Sequence, residues 1–137
     1  MDFSGVNYLG ILVAAVASFF FGSVYYMALA KPWLAAVGKT EEEVRTQGLP
    51  AAQMIRSAIC QLVMAFVLAG LMVNLGPEQM TAFRGIGTGL LMWFGFVMTT
   101  MAVNHGWQGV PKSLTMIDGA HWLGVLVIQG IVLGLVG

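Results

Sequence analysis

Asp118 and His121 stand three residues apart in the stretch Ile117-Asp118-Gly119-Ala120-His121. On a helix that spacing places a carboxylate and an imidazole on one face. Histidine has an ordinary pKa near ~6.5, so such a pair can change charge around neutral pH. The chemistry suits proton coupling or recognition of a polar head group. Asp118 is also the one acidic residue inside the four long apolar runs of the chain. An ionisable side chain in a membrane segment is costly and marks a functional site by default.

The apolar runs must position this pair. They cover residues 6–29, 54–75, 85–103 and 115–136. Each is close to the ~20 residues that cross ~30 Å of hydrocarbon as a helix. Backbone groups in lipid must bond within their own segment, so helices are the reading for runs this long. Composition agrees: 58% of the 137 residues are hydrophobic and 9% are charged, against about 25% charged in a soluble domain. Mean hydropathy is +0.85. The expected fold is an all-α membrane protein: one domain over residues 1–137, with four transmembrane helices in an antiparallel bundle. Ala28-Leu29-Ala30 resembles a signal-peptidase site, but Asp2 precedes the run and no Lys or Arg does. The run is also longer than a signal-peptide core, so a retained first helix is expected.

Loop charge sets the orientation. Lys31, Lys39, Arg45, Arg56 and Lys112 flank loops 1–2 and 3–4, and Arg84 stands alone on the other side. Both termini are therefore expected outside and the two basic loops in the cytoplasm. Trp33 and Trp107 suit interface anchors there. Thr40-Glu41-Glu42-Glu43 reads as a capping box that starts a short amphipathic cytoplasmic helix over 41–47, closed by Gly48 and Pro50. Gly76-Pro77 breaks the chain in a short loop between helices 2 and 3, which makes those two antiparallel neighbours. Ser113 is expected to cap helix 4.

Threading this topology collects polar residues in the cytoplasmic leaflet. Helix 1 brings Tyr25 and Tyr26, with Ser23. Helix 2 brings Gln61, with Ser57. Helix 3 ends in Thr99, Thr100, Asn104 and His105, and helix 4 begins with Asp118 and His121. Polar side chains avoid lipid, so a shared pocket open to the cytoplasm is expected. The plainer alternative is packing glue, since such residues commonly bond across membrane helices. The outer halves offer little beyond Asn74, Thr88 and Gln129. Small residues make the packing faces: Ala14, Ser18 and Gly22 on helix 1, Gly85 and Gly89 on helix 3, Gly130 and Gly134 on helix 4. The helix 4 face is expected to remain free for self-association. Met27-Ala28 before Trp33 parallels Met101-Ala102 before Trp107, a hint of internal duplication.

Other function classes lose support. Net charge is zero, which leaves no footprint for nucleic acid. Cys60 is the lone cysteine, read as a small buried hydrophobe. No metal-ligand spacing and no cofactor motif stands out, and a catalytic nucleophile with a base is not visible.

Asn7-Tyr8-Leu9, Tyr25-Tyr26, Lys31-Pro32-Trp33, Gly38, Thr40-Glu41-Glu42, Gly95-Phe96-Val97, Thr99-Thr100 and Ile117-Asp118-Gly119-Ala120-His121 together resemble a family of small four-helix bacterial membrane proteins, domain of unknown function 1761. The resemblance covers nearly the whole chain. It implies a multi-pass protein of the bacterial inner membrane and transfers no catalytic residue. The leading functional expectation is a small transporter-like, channel-like or ligand-binding oligomer, its ion or small-molecule ligand unidentified. Four-helix multidrug exporters are similar in size, but their mid-membrane glutamate has no counterpart in helix 1. The alternative is a structural or accessory subunit that packs against a larger membrane complex or lipid, and a membrane enzyme ranks last.

Overall fold

The computed structural model describes residues 2–137, and every regular element among them is helical. Four helices are long and apolar enough to cross a membrane: α1 (Tyr8–Ala28), α4 (Ala51–Leu75), α5 (Ala82–Trp107) and α6 (Lys112–Val136). Two short helices, α2 (Ala30–Val37) and α3 (Glu41–Gln47), join α1 to α4.

Local sequence explains the helix ends. Asn7 caps α1, its Oδ1 accepting the Gly10 N–H at 3.1 Å. α1 stops at Ala28 because Pro32 has no N–H to give the Ala28 carbonyl and its ring would crowd that oxygen. The chain turns at Leu29 and restarts as α2, where Pro32 sits harmlessly in the first turn. α2 then ends on Gly38 in the left-handed region, φ 71°. The 6–29 run gave no hint of this extra helix. Helix α3 forms on its capping box: Thr40 Oγ1 accepts the Glu43 N–H at 3.2 Å, and the Glu43 carboxylate accepts the Thr40 N–H at 2.7 Å. Bonds from the Thr40 backbone and hydroxyl hold the Glu43 carboxyl below its ordinary range. Ser113 is not the cap of α6. Pro111 takes that place, and its carbonyl accepts the N–H groups of Leu114 and Thr115, so the helix starts before Ser113.

Within α5 the residues Trp93–Met98 form a wider, π-type turn. One extra residue in a turn rotates everything beyond it by about 100°.

Helix α6 is the hub. It packs chiefly on α5 and α1, α1 packs on α4, and the α4–α6 contact is slighter. Glycine makes the α5–α6 contact possible. A methyl at Gly85 would strike the Gly130 carbonyl, one at Gly134 would strike that of Thr81, and one at Gly89 would lie 2.6 Å from that of Leu126. Residue numbers fall on α6 as they rise on α5 along this seam. The Gly130/Gly134 face is therefore consumed inside the chain, and its expected role in self-association is corrected. Helices 2 and 3 expected from the sequence, α4 and α5, do adjoin across a short turn, but they touch only sparsely, and two cavities are lined by both. A short turn joins their ends, but the seam with α6 decides where α5 lies.

The core gathers Ile11, Ala14 and Ala15 from α1, Ala65, Leu68, Ala69 and Met72 from α4, and Leu126 and Leu133 from α6. The N-terminal segment seals one end. Phe3 stacks on Phe66 at 4.8 Å and fills the notch over Gly70. Asn74 exchanges two bonds with the Asp2 backbone, of 2.9 and 2.6 Å, and Asn7 Nδ2 donates to the Val136 carbonyl at 2.6 Å. Cys60 is exposed on α4, not buried, beside the exposed Ile59 and Leu62. An apolar run of this kind has an outward-facing side as well as a core side, and hydrophobicity alone does not separate them.

Candidate functional site

The opposite end holds the polar groups. Tyr25 and Tyr26 are adjacent on the last turn of α1, so their rings diverge and both hydroxyls reach the start of α6. Tyr25 donates to the Ile117 carbonyl at 2.8 Å, and Tyr26 donates to Asp118 Oδ1 at 2.7 Å. From α5, the Trp93 indole donates to the Gly119 carbonyl at 2.8 Å. Three aromatic donors thus fix the first turns of α6. A tyrosine hydroxyl donating to a carboxylate is a charge-assisted bond, among the stronger kinds available here.

His121 lies one turn deeper and is 5% exposed. The rings of Tyr26, Tyr25 and Phe21 stand 4.8, 5.7 and 6.2 Å from it, and its neighbour Trp122 4.8 Å. Gly22 leaves the room: a methyl there would lie 2.7 Å from His121 Nε2. Asp118 and His121 do not bond to each other, because Tyr26 takes the carboxylate and places its own ring against the imidazole.

A cleft of about 320 Å³ opens between α1, α4 and α6. Its walls include Ser23, Tyr26, Gln53, Ser57, Gln61 and His121. No Asp, Glu, Lys or Arg lines it. Below it, Ser18 Oγ donates to Gln61 Oε1 at 2.9 Å, while Gln129 Nε2 donates to Ser18 Oγ and to the Gln61 carbonyl, both at 3.0 Å. All three side chains are buried. Two buried side-chain atoms among the described residues have no partner, His121 Nδ1 and Gln129 Oε1. Buried polar atoms are nearly always satisfied, so each such atom calls for an occupant or a role.

Of the polar residues expected to share one pocket, Ser23, Tyr26, Ser57, Gln61 and His121 meet at this cleft. Asp118 and Tyr25 stand behind its wall. Thr99, Thr100 and Asn104 are exposed on α5 and take no part. Thr99 bonds back to the Gly95 and Phe96 carbonyls, and Thr100 to that of Phe96. His105 Nδ1 pairs instead with Thr115 Oγ1 at 2.9 Å, beside a separate cavity. Level along the bundle follows from chain order, but the direction a side chain faces does not, and the π-type turn re-phases this end of α5. Gln129 and Ser18 were the members missed. Their signal was present: each is a polar side chain in mid-run, needing a partner across the bundle.

Fold and site define a class: an all-helical protein with four apolar spans and a polar cleft at one end. The chain belongs to the family described as protein of unknown function (DUF1761), whose family model matches residues 9–134. No curated protein and no solved structure matches the chain.

Proposed function

We propose that the chain is a four-span antiparallel bundle of the bacterial inner membrane that binds a small polar ligand in the α1/α4/α6 cleft, as a transporter or ligand-binding protein does. The basic residues of loops 1–2 and 3–4 support a cytoplasmic side for the cleft, with both termini outside. The observation that carries the reading is the open cleft walled by Ser23, Tyr26, Gln53, Ser57, Gln61 and His121, polar groups from three helices around one space. A bundle held together only by polar packing would close that gap. The test is cysteine accessibility in a Cys60→Ser background. Ser57→Cys should react with a membrane-impermeant maleimide from the cytoplasmic side, and Ile59→Cys should not. Equal, negligible labelling of both would defeat the reading.

A second reading, an accessory subunit or homo-oligomer, draws on α5. Only 6% of its apolar window is buried, against 28–39% in the other spans. Its outer face is the one left for a membrane partner. Co-purification of a stoichiometric partner, lost when Phe94 and Leu91 are replaced by bulkier or polar residues, would favour that reading.

A further inference from the structure

An apolar groove adjoins the polar cleft. The groove, of about 270 Å³, is lined by Leu12, Ala15, Val16, Phe19, Ala58, Ile59 and Leu62. Phe19 is a wall of both spaces. The groove follows α1 from Phe19 to Leu12, about 10 Å of helix axis. It is open because Ala15 and Ala58 present no bulk between the larger side chains. The two spaces lie side by side along α1 and α4, a polar one next to an apolar one.

Resting on the cleft reading above, we propose that the ligand is a lipid-like amphiphile with an uncharged, hydroxyl- or amide-bearing head and an apolar tail. The cleft walls supply donors and acceptors from Ser23, Gln53, Ser57, Gln61 and His121. They supply no cation for a phosphate or carboxylate head. They supply no free carboxylate for an ammonium head either, since Asp118 lies behind Tyr26 and is bonded to it. A charged head would enter with no counter-charge, which is costly. The tail seats against the groove while the head pairs with the cleft walls, so retention needs both parts of the molecule. Phe19 stands at the junction, and its ring is the pivot around which head and tail divide.

The experiment is native mass spectrometry of the detergent-solubilised chain with three probes: monooleoylglycerol, oleate and glycerol. Monooleoylglycerol should be retained at one copy per chain. Oleate should bind about tenfold more weakly, the consequence of roughly one uncompensated charge contact. Glycerol should not be retained. Ala58→Trp fills the groove from its exposed side without touching the cleft, and should reduce monooleoylglycerol retention about tenfold. Ser57→Trp should abolish it. Oleate binding as well as monooleoylglycerol would overturn the uncharged head, and unchanged retention in Ala58→Trp would overturn the tail groove. If Ser57→Cys labels from water and monooleoylglycerol still fails to bind, the amphiphile fails and the cleft stands. If neither occurs, both fall. Circular dichroism of the two tryptophan variants separates lost binding from lost folding.

Discussion

Alanine at two glycines of one seam should have opposite sign from alanine at a glycine outside it. At Gly130 an added methyl collides with the Gly85 carbonyl, and at Gly85 with that of Gly130. The obstacles are backbone atoms, so no side chain can swing away and α5 must part from α6 by about 1 Å. Overpacking of this kind costs ~1–3 kcal/mol, and here it disturbs the most extensive helix pair in the chain. Alanine also has a better helix propensity than glycine, worth up to ~1 kcal/mol. The net expectation is a loss of ~1–2 kcal/mol for Gly130→Ala or Gly85→Ala. Gly87 lies on the same α5, is exposed, and has nothing within 4 Å of the added methyl. Gly87→Ala should therefore keep only the propensity gain and be neutral or stabilising. Reversible unfolding in mixed micelles with rising SDS, followed by circular dichroism, measures all three. If Gly130→Ala is as stable as Gly87→Ala, the glycine seam does not hold α5 on α6.

Three further outcomes follow from the site and the loops. Gly22→Leu drives a side chain into the place of His121, so the ring must leave its aromatic surround; the imidazole proton resonances should lose their ring-current shifts, and ligand retention should fall with them. Tyr26→Phe removes the donor to half-buried Asp118 and should destabilise the α1–α6 contact by ~1–2 kcal/mol, while Tyr26→Phe with Asp118→Asn should cost much less than the sum of the two; additive costs would refute the bond. In α3, Glu43 has its pKa depressed in the folded state by the Thr40 bonds. Its contribution is present above the ordinary carboxylate range and is lost as pH falls through the depressed value. Amide exchange across Glu41–Gln47 should therefore rise on acidification, and Glu43→Gln should flatten that dependence; an identical pH profile in the variant contradicts the capping account.

The four long helices and the α3 cap were legible because each rests on local rules, whereas Ser113 was not the cap expected of α6. Twenty apolar residues force a helix, and Thr40 with Glu43 dictates a cap regardless of the surroundings. The small faces of α1, α5 and α6 were legible as faces, but which face met which was not: Gly130 and Gly134 meet α5, a choice decided by the whole packing. The site was half legible. Tyr26, Gln61 and His121 could be gathered by depth. Thr99, Thr100 and Asn104 share that depth and face away, because direction around a helix depends on phase and the turn at Trp93–Met98 shifts it. The helix α2 escaped notice although Pro32 and Gly38 mark its first turn and its end, since apolar residues run straight through Ala28 and Leu29. The duplication hint fades for the same reason: Met27 and Trp33 straddle a break at Leu29, while Met101 and Trp107 lie on one continuous helix.

A density map of the chain purified in native lipid and held in nanodiscs shows whether the cleft beside His121 holds a ligand. Non-protein density is expected between Ser57, Gln61 and His121, with a tail running past Phe19 towards Leu12. A map in which α1 and α4 close over an empty gap would contradict the ligand site.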